Sequence, residues 1–373
     1  MNYSQEPLMT VIVLLYNDMP HGLNAVKSVL EQSCQSFYLI IVDNGSTDKT
    51  WQQIQKYKND SRITLYKQLR NQRSDGVQAV IDNVRTKYLS FLFADDTYKP
   101  KRLEDAINLL ENDRDKAYVF YNNQHIDEEG TPLDKEKSVH ISWFNGDISS
   151  MDRWTHLRKF FRDGNSLHPC GMVVRTDVYR EIGGFPRFMH YMGDMLFFTR
   201  LLARYDGIFS SEEMQHITVW NNQRNESFLI GGSQETMFAE RSLFLEEYRQ
   251  EPLISNLQNI FICRDQEIKE FGSISQSLWF LAHQALAQDE RIESRLFALR
   301  LFYEVANLHD KKFESYIYES TGLTLSEYIQ SIMTRYVLRP VLMGSIPLKP
   351  SIWRRMVKRI PGTLWVYRRF FKK

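Results

Sequence analysis

Cysteine is scarce in this sequence, and the scarcity excludes two classes of protein. Three cysteines occur in 373 residues, at Cys34, Cys170 and Cys263, and no two of them are close in sequence. A disulfide-stabilised extracellular scaffold needs more cysteines, and a structural zinc site needs them in close pairs. We therefore expect a protein of a reducing compartment that folds around an apolar core.

Long apolar stretches are also missing. No segment reaches the roughly 18 uncharged apolar residues expected of a membrane span. The amino-terminal sequence MNYSQEPLMT has neither the basic flank nor the apolar centre of a signal peptide. These absences favour a cytoplasmic location, and the 43% hydrophobic content is that of a folded protein with about two domains.

Short apolar strands alternate with amphipathic helices in the first third of the chain. The strands are expected at residues 9–16, 38–42, 63–66, 88–93 and 119–121, and the helices at residues 21–33, 47–58, 75–86 and 101–111. This alternation with short connections predicts an α/β fold with a doubly wound, mostly parallel sheet. Dinucleotide- and methyl-donor-binding enzymes share that architecture, but the turn LLYNDMPHG after the first strand lacks their glycine pattern.

Carboxylates directly follow two of the predicted strands. Asp43 follows the second strand, and Asp95 and Asp96 follow the fourth after Ala94. Ligands of such sheets bind at the carboxyl ends of the strands. The adjacent pair suits Mg²⁺ or Mn²⁺, although a charged turn before the next helix explains it equally well. Asp43 can accept a hydrogen bond from a uracil or a ribose, or it can form an Asx turn that caps a helix.

The pattern changes after Tyr121. Residues 122–168 are polar and broken, as expected of a loop-rich region that binds an acceptor, and residues 171–175 are expected to form a strand. Asp194 opens a helix predicted over 195–204, where it is either an N-cap or a general base. Helical periodicity then dominates residues 238–328, which predicts a helical lobe.

Several of these segments together resemble a known family in their order and spacing. They are MTVIVLLYN (9–17), IIVDNGSTDKT (40–50), YLSFLFADDTYKPKRLE (88–104), GMVVRTDVYREIGGF (171–185) and GDMLFFTRLL (193–202). They resemble the family 2 inverting glycosyltransferases of GT-A fold, and in particular the nucleotide-sugar transferases of the spore-coat-polysaccharide type. The resemblance covers residues 8–230.

The resemblance implies a donor-binding set in the first half of the chain. Tyr16 and Asn17 would line the uridine pocket, and Asp43 would contact the uracil. Asp95 would lie near the ribose and the metal, and Asp96 would be the direct ligand of Mn²⁺ or Mg²⁺.

Two further roles are implied on the acceptor side of the chain. Asp194 would be the catalytic base, and Arg224 would face the diphosphate of the donor. The implied reaction is an in-line displacement at the anomeric carbon, with the metal stabilising the leaving nucleoside diphosphate.

The chain also departs from the family pattern. Phe93 stands where many members have a first acidic residue, Gly193 replaces the usual Glu before the base, and Gln78 replaces an Asn. The spore-coat type lacks the first acid as well and keeps the pair. These departures leave open a degenerate GT-A fold that acts as a glycan- or nucleotide-binding scaffold subunit. His168 and His216 are candidate extra ligands, although an isolated histidine is more often structural.

The carboxyl-terminal segment has no acidic residue. Residues 335–373 contain 11 Lys and Arg, which leaves 36 basic and 46 acidic residues in the rest of the chain. Within SIWRRMVKRI (351–360) the apolar side chains fall on one face of a helix and the basic ones on the other. We expect residues 340–373 to bind an anionic membrane surface. A nucleic-acid patch is disfavoured by the acidic body, and a helix packed on the lobe remains the alternative.

These observations give one plan for the chain. A GT-A domain is expected over residues 1–235, with its donor half at 1–122 and its acceptor half at 123–235, followed by a helical lobe at 236–334 and the basic tail at 335–373. The expected function is transfer of a hexosyl or N-acetylhexosaminyl group from a UDP-sugar to a saccharide or lipid-linked glycan acceptor, in surface polysaccharide or lipopolysaccharide biosynthesis. We expect the protein to lie on the inner face of the membrane.

Overall fold

The chain divides into two compact units, residues 1–244 and residues 245–373. The computed structural model describes residues 6–72, 75–133, 147–220, 234–261, 272–287 and 291–332. Arg224 and the basic tail from residue 335 lie outside these ranges. The helix Gln234–Glu246 runs across the domain boundary expected at residue 235, and the finer division into halves and lobe stays a prediction.

In its described residues, the first unit contains a sheet of eight strands in the order β3-β2-β1-β4-β7-β6-β8-β5. The strands are β1 Met9–Leu15, β2 Phe37–Asp43, β3 Ile63–Lys67, β4 Tyr88–Phe93, β5 Thr97–Tyr98, β6 Tyr118–Ile126, β7 Met172–Arg175 and β8 Gly207–Thr218. Strands β1, β2 and β4 are buried along almost their whole length, which explains their continuous runs of Val, Ile, Leu and Phe.

Most of the sheet runs in one direction. Strands β3, β2, β1 and β4 are parallel neighbours, and β6 and β8 are parallel to each other. Strand β7 is antiparallel to both β4 and β6, and β5 is antiparallel to β8. Only β7 and β5 therefore oppose the other six strands of the described sheet, and the predicted α/β class with a mostly parallel sheet is confirmed.

The sheet is curled, and the curl follows from one short connection. Strands β4 and β5 are four positions apart in the sheet order, a separation of about 19 Å in a flat sheet. Residues 94–96 alone connect them, and such a link spans at most about 14 Å. The sheet must therefore bend until β5 and β8 approach the end of β4, with Asp95 and Asp96 inside the connecting turn.

Eight helices lie in or begin in the first unit's described residues. They are α1 His21–Leu30, α2 Thr50–Ile54, α3 Asp75–Gln78, α4 Arg102–Asn112, α5 Arg153–Arg162, α6 Thr176–Glu181, α7 Gly193–Arg204 and α8 Gln234–Glu246. The prediction of one helix over residues 75–86 is wrong in its length. Helix α3 ends at Gln78, and a separate 3-10 turn covers Ile81–Asn83. Gly76 and the β-branched residues after it favour a continuous helix only weakly.

The expectation of a loop-rich region over 122–168 is also wrong in part. Strand β6 continues to Ile126, and α5 occupies Arg153–Arg162. The side chain of Asp152 caps this helix by accepting a hydrogen bond from the Thr155 N–H at 2.8 Å. The helix buries His156, Leu157, Phe160 and Phe161 on one face, which is a helical spacing within an otherwise polar segment.

The fully buried side chain of Arg102 connects separate parts of the curled sheet by hydrogen bonds. Arg102, at the start of α4, is 0% exposed and stacks over the ring of Tyr98 at 4.3 Å. Its guanidinium donates to the Gln215 Oε1 at 2.7 Å and to the Cys170 carbonyl at 2.6 Å. These partners lie on β8 and just ahead of β7, so Arg102 joins parts of the chain that are far apart in sequence.

The second unit is helical in its described residues, as the periodicity predicted. Its helices are α9 Leu257–Ile260, α10 Ile274–Ala287, α11 Ile292–Asn307, α12 Lys311–Thr321 and α13 Leu325–Ile332. Trp279 of α10 packs against Phe302, Phe313 and Tyr328 with ring centroids 4.9, 5.4 and 5.0 Å away. Within the described residues, none of the helices in either unit combines the length and apolarity that crossing a membrane requires.

Candidate functional site

The candidate donor site lies at the carboxyl ends of β1, β2 and β4. Asp43 is the last residue of β2 and is 0% exposed. Its Oδ1 accepts a hydrogen bond from the Ser46 N–H at 3.0 Å. Its Oδ2 is buried and accepts no hydrogen bond from the described part of the chain. An unpaired buried acceptor is rare in folded proteins, so this oxygen is a candidate contact for a ligand.

Asn17 shapes the loop beside Asp43. Its backbone is in the left-handed region, with φ of 48°, which Asn tolerates better than most residues. Its Oδ1 accepts hydrogen bonds from the Thr47 N–H at 2.7 Å and the Asp48 N–H at 3.3 Å. The neighbouring Tyr16 is 40% exposed. The side chain of Asn17 therefore holds the loop after β2 in place, while Tyr16 offers its ring to the solvent at the same edge.

The two carboxylates after β4 have different surroundings. Asp96 is 3% exposed, and its oxygens accept from the Thr218 N–H at 3.1 Å and from the Cys170 thiol at 3.1 Å. Burial, with the charge of Asp95 added, raises the pKa of Asp96 well above its usual range. Asp95 is partly exposed, and its Oδ2 accepts from the Trp220 indole N–H at 3.0 Å. The pair therefore consists of one interior carboxylate and one carboxylate at the rim.

The interior carboxylate belongs to a mixed cluster that fits a hard cation poorly. Candidate ligand atoms of Asp96, His168 and Cys170 lie within 4.8 Å of one another. Burial, and then Asp96, raises the pKa of the Cys170 thiol, so the sulfur stays protonated and is a weak ligand. His168 already accepts from the Cys170 N–H through Nδ1 at 3.2 Å. Mg²⁺ and Mn²⁺ prefer oxygen ligands, so the partly exposed Asp95 suits them better.

The other residues singled out beside the acid pair have structural contacts. The ring of Phe93, at the position of the missing acid, lies 6.5 Å from the ring of His168. His216 Nδ1 lies 3.1 Å from the Thr97 hydroxyl, across the β5–β8 pairing. Gln78 accepts from the Tyr179 hydroxyl at 2.7 Å and donates to the Gly183 carbonyl at 3.4 Å.

The candidate base, Asp194, lies in the first turn of α7. Its Oδ1 accepts from the Met195 N–H at 2.6 Å, and its Oδ2 accepts from the Asn165 amide at 2.9 Å. Burial is the main cause that raises the pKa of Asp194, to about 6, and the charge of Glu240 adds to it. A carboxylate with a pKa near neutrality is a better general base than an ordinary Asp.

Asn165 was missed by the sequence analysis. It follows α5 within a segment that reads as an ordinary polar loop, 29 residues before its partner Asp194. No local pattern in the sequence relates the two positions. Arg224 and the basic tail lie outside the described residues, and their predicted roles stay predictions.

Comparison with known proteins identifies the family of this fold. The model of "Glycosyl transferase family 2" matches residues 10–183. An uncharacterized glycosyltransferase of Methanocaldococcus jannaschii is 29% identical over 182 residues, which are 48% of this chain and 59% of that protein. The putative teichuronic acid biosynthesis glycosyltransferase TuaG of Bacillus subtilis is 33% identical over 132 residues, 35% of this chain and 52% of TuaG. The chain thus matches less than two thirds of each relative's length.

Solved structures share the fold at low sequence identity. S. aureus TarS 1-349 in complex with UDP-GlcNAc matches with a TM-score of 0.50 and 18% identity, over 80% of this chain and 87% of that chain. The mannosyltransferase PcManGT of Pyrobaculum calidifontis, in complex with GDP-Man and Mn²⁺, matches with a TM-score of 0.50 and 14% identity, over 89% and 84%. These likenesses concern the fold, which is GT-A. Residues 10–183, slightly less than half of the chain, match glycosyl transferase family 2.

Proposed function

We propose that this chain is an inverting glycosyltransferase that uses a UDP-sugar. The observation that carries the proposal is the buried Oδ2 of Asp43, which accepts no hydrogen bond from the described residues. Leaving such an oxygen unpaired costs about 1–3 kcal/mol, and a uracil N–H or a ribose hydroxyl would remove that cost. The UDP-GlcNAc bound to the TarS structure of the same fold supports a uridine donor.

The acceptor and the sugar are proposed from the class of relatives. TuaG is named for teichuronic acid biosynthesis, which supports a saccharide or lipid-linked glycan acceptor in surface polysaccharide or lipopolysaccharide assembly. The transferred group would be a hexosyl or an N-acetylhexosaminyl group.

Asp95 is the carboxylate that we propose to hold the donor metal, Mn²⁺ or Mg²⁺. Such ions take one or two protein carboxylates and complete their shell with water and substrate phosphate. When bound, the ion stabilises the charge of the departing diphosphate. The Mn²⁺ in the PcManGT complex supports a metal for this fold. Asp96, the direct ligand expected from the sequence, is the rival assignment.

Asp194 would act on the acceptor side of the reaction. An acceptor hydroxyl oxygen forms the new bond to the anomeric carbon, and the bond from that carbon to the phosphate oxygen breaks. The diphosphate leaves with the electron pair, and the hydroxyl proton moves to Asp194. The raised pKa of Asp194 brings its basicity closer to that task.

The test of this proposal uses Asp43. Asp43→Asn replaces one acceptor oxygen with an amide donor, so it should weaken UDP binding at least about tenfold, measured by calorimetry with Mn²⁺ present. Asp82→Asn, on an exposed residue of the same half, is the matched control and should bind UDP as the wild type does. Equal UDP affinity in all three proteins would contradict the proposal.

One observation favours the scaffold alternative. The Trp220 indole and the Cys170 thiol already donate to Asp95 and Asp96, so part of the acid pair is occupied by the protein itself. A binding subunit would bind UDP but release no UDP from UDP-glucose or UDP-N-acetylglucosamine with Mn²⁺. Turnover of either donor by the wild type, lost in Asp194→Asn, would exclude it.

The basic tail has a separate proposed role at an anionic membrane surface. Residues 340–373 would bind it through their basic and aromatic side chains, and the enzyme would then lie on the inner face of the membrane. Deleting these residues should release the protein from phosphatidylglycerol vesicles while UDP binding stays unchanged. Undiminished vesicle binding by the truncated chain would contradict this role.

A further inference from the structure

Helix α8 places two buried, oppositely charged residues next to each other. Glu240 is 4% exposed and Arg241 is 2% exposed. Charged side chains are seldom buried to this extent, because removing a charge from water is costly unless strong hydrogen bonds compensate it. The hydrogen bonds of this pair go to the backbone at the ends of two other helices.

Glu240 binds the backbone just ahead of α7. Its Oε1 accepts from the His190 N–H at 2.7 Å, and its Oε2 accepts from the Tyr191 and Met192 N–H groups at 2.8 and 3.0 Å. Met192 is the residue before α7 and gives the helix no side-chain cap. Glu240 therefore fixes the entry into the helix whose first turn carries Asp194.

Arg241 binds the opposite end of another helix. Its guanidinium donates to the carbonyls of Phe160 and Phe161 at 3.1 and 2.5 Å, in the last turn of α5. The chain then passes to Asn165, whose amide donates to Asp194 Oδ2 at 2.9 Å. Arg241 therefore fixes the helix end from which Asn165 reaches the candidate base.

The signs of the two charges match the helix ends that they bind. A helix start carries partial positive charge and a helix end partial negative charge, so Glu240 at α7 and Arg241 at α5 are both favourable. Asp194 thus meets the N–H of its own helix, the neutral amide of Asn165 from the α5 side and the negative charge of Glu240 from α8.

We propose that Glu240 and Arg241 are positioning residues that set the place and the basicity of Asp194. The inference rests on the proposed function, in which Asp194 is the catalytic base. Neither residue is expected to touch the substrate. Each acts through the backbone, Glu240 by holding the start of α7 and Arg241 by holding the loop that carries Asn165.

The first variant that tests the pair is Glu240→Gln in the full-length chain. Its amide has a single acceptor oxygen, so it cannot bind all three N–H groups as the carboxylate does. With Mn²⁺ present and water as the acceptor of the sugar, we expect the kcat for UDP release from UDP-glucose or UDP-N-acetylglucosamine to fall about tenfold, with the KM for the donor unchanged. In a plot of kcat against pH, the acidic limb is the low-pH region where kcat falls. This limb should move to lower pH by about half a unit, because the negative charge beside Asp194 is lost.

The matched control is Glu235→Gln, on an exposed residue of the same helix, and it should behave as the wild type. Arg241→Lys is the second variant, because it keeps the charge and loses the paired hydrogen bonds. It should lower kcat as well, but move the acidic limb to higher pH, because the Asn165 hydrogen bond that stabilises ionised Asp194 weakens. A purely structural role predicts lower stability in both variants with the limb unmoved.

The outcomes separate this inference from the proposed function. Wild-type turnover with an unmoved acidic limb in both variants would overturn the positioning role and leave the transferase intact. Absence of turnover in the wild type with both donors would overturn the proposed activity with these donors. In that event, titration of the Asp194 carboxyl by carbon NMR, assigned with Asp194→Asn, still decides the inference. An identical titration midpoint in wild type and Glu240→Gln would overturn it.

Discussion

The donor edge and the surroundings of Asp194 are built in opposite ways. At the donor edge, Asp43 ends the buried strand β2 and Asp95 lies two residues after the buried strand β4, and the parallel sheet brings the strand ends together. At Asp194 the contacts come from Asn165, 29 residues earlier, and from Glu240 on α8. The donor edge is therefore a property of local sequence and topology, whereas the candidate base depends on contacts that form only when distant helices have packed.

Asp194→Asn is expected to have the largest effect, and it tests whether the surroundings of Asp194 are independent of the donor edge. An amide cannot take the acceptor proton, so kcat should fall about 10³-fold, with the affinity for UDP and Mn²⁺ unchanged. Steady-state kinetics of UDP release test the role of Asp194, and calorimetry with UDP tests the donor edge separately. A parallel loss of UDP affinity would show that the two regions are not independent.

The pH dependence of kcat in the wild type should also reflect the role of Asp194 as the base. The base acts in its ionised form, and the pKa of Asp194 is raised to about 6. We therefore expect kcat to fall about tenfold per pH unit below that value. The free energy of unfolding should change in the opposite direction to kcat. Folding raises the pKa of Asp194, so the protonated carboxyl stabilises the folded protein at low pH, and this contribution is lost as the pH rises through about 6. A kcat that stays flat down to pH 4.5 would contradict the assignment of Asp194.

A smaller effect separates the two members of the acid pair. Asp95→Asn should raise the Mn²⁺ concentration for half-maximal activity by more than the about 10- to 100-fold that loss of an outer-shell partner costs, with little change in the melting temperature. Asp96→Asn should mainly lower the melting temperature, because its oxygens accept from the Thr218 N–H and the Cys170 thiol. The reverse pattern, with metal dependence lost only in Asp96→Asn, would restore the assignment expected from the sequence.

The smallest effect is expected at Asn165. Its hydrogen bond stabilises the ionised form of Asp194 and so lowers the pKa of that carboxyl. Asn165→Ala should therefore move the acidic limb of the kcat profile to higher pH by about half a unit, opposite to Glu240→Gln. Asn71, whose Oδ1 accepts from the amide of Asn44 beside Asp43 at 3.0 Å, lies at the donor edge, and Asn71→Ala is a control that should leave this limb unmoved. A shift of the Asn165→Ala limb to lower pH would contradict the hydrogen-bond role.

The sequence predicted the fold class and the strand that precedes the acid pair. Strand β4 has the expected bounds, Tyr88 to Phe93, because a buried parallel strand is a continuous apolar run ending at a polar turn. Helix α5 was missed although its buried residues recur at helical spacing, because it is only ten residues long and lies within a long polar segment. A short amphipathic helix is easily overlooked when the residues on both sides of it are polar.

Local sequence could not show which carboxylate of the acid pair is buried and which lies at the rim. Asp95 and Asp96 are adjacent, and local pattern gives no reason to prefer one as the metal ligand. Their difference arises from Cys170, Thr218 and Trp220, which are 74, 122 and 125 residues away in sequence. Glu240 and Arg241 were missed for the same reason, since charged residues on a helix normally face solvent.

The buried guanidinium of Arg102 has a consequence for how this protein is synthesised. Its partners Cys170 and Gln215 follow it by 68 and 113 residues. A nascent chain that ends before them would hold a cation without these acceptors, and an unpaired buried charge costs about 3–5 kcal/mol. The donor edge is therefore expected to reach its final packing only after the chain has been synthesised as far as Gln215, and by then Asp194 has been synthesised too.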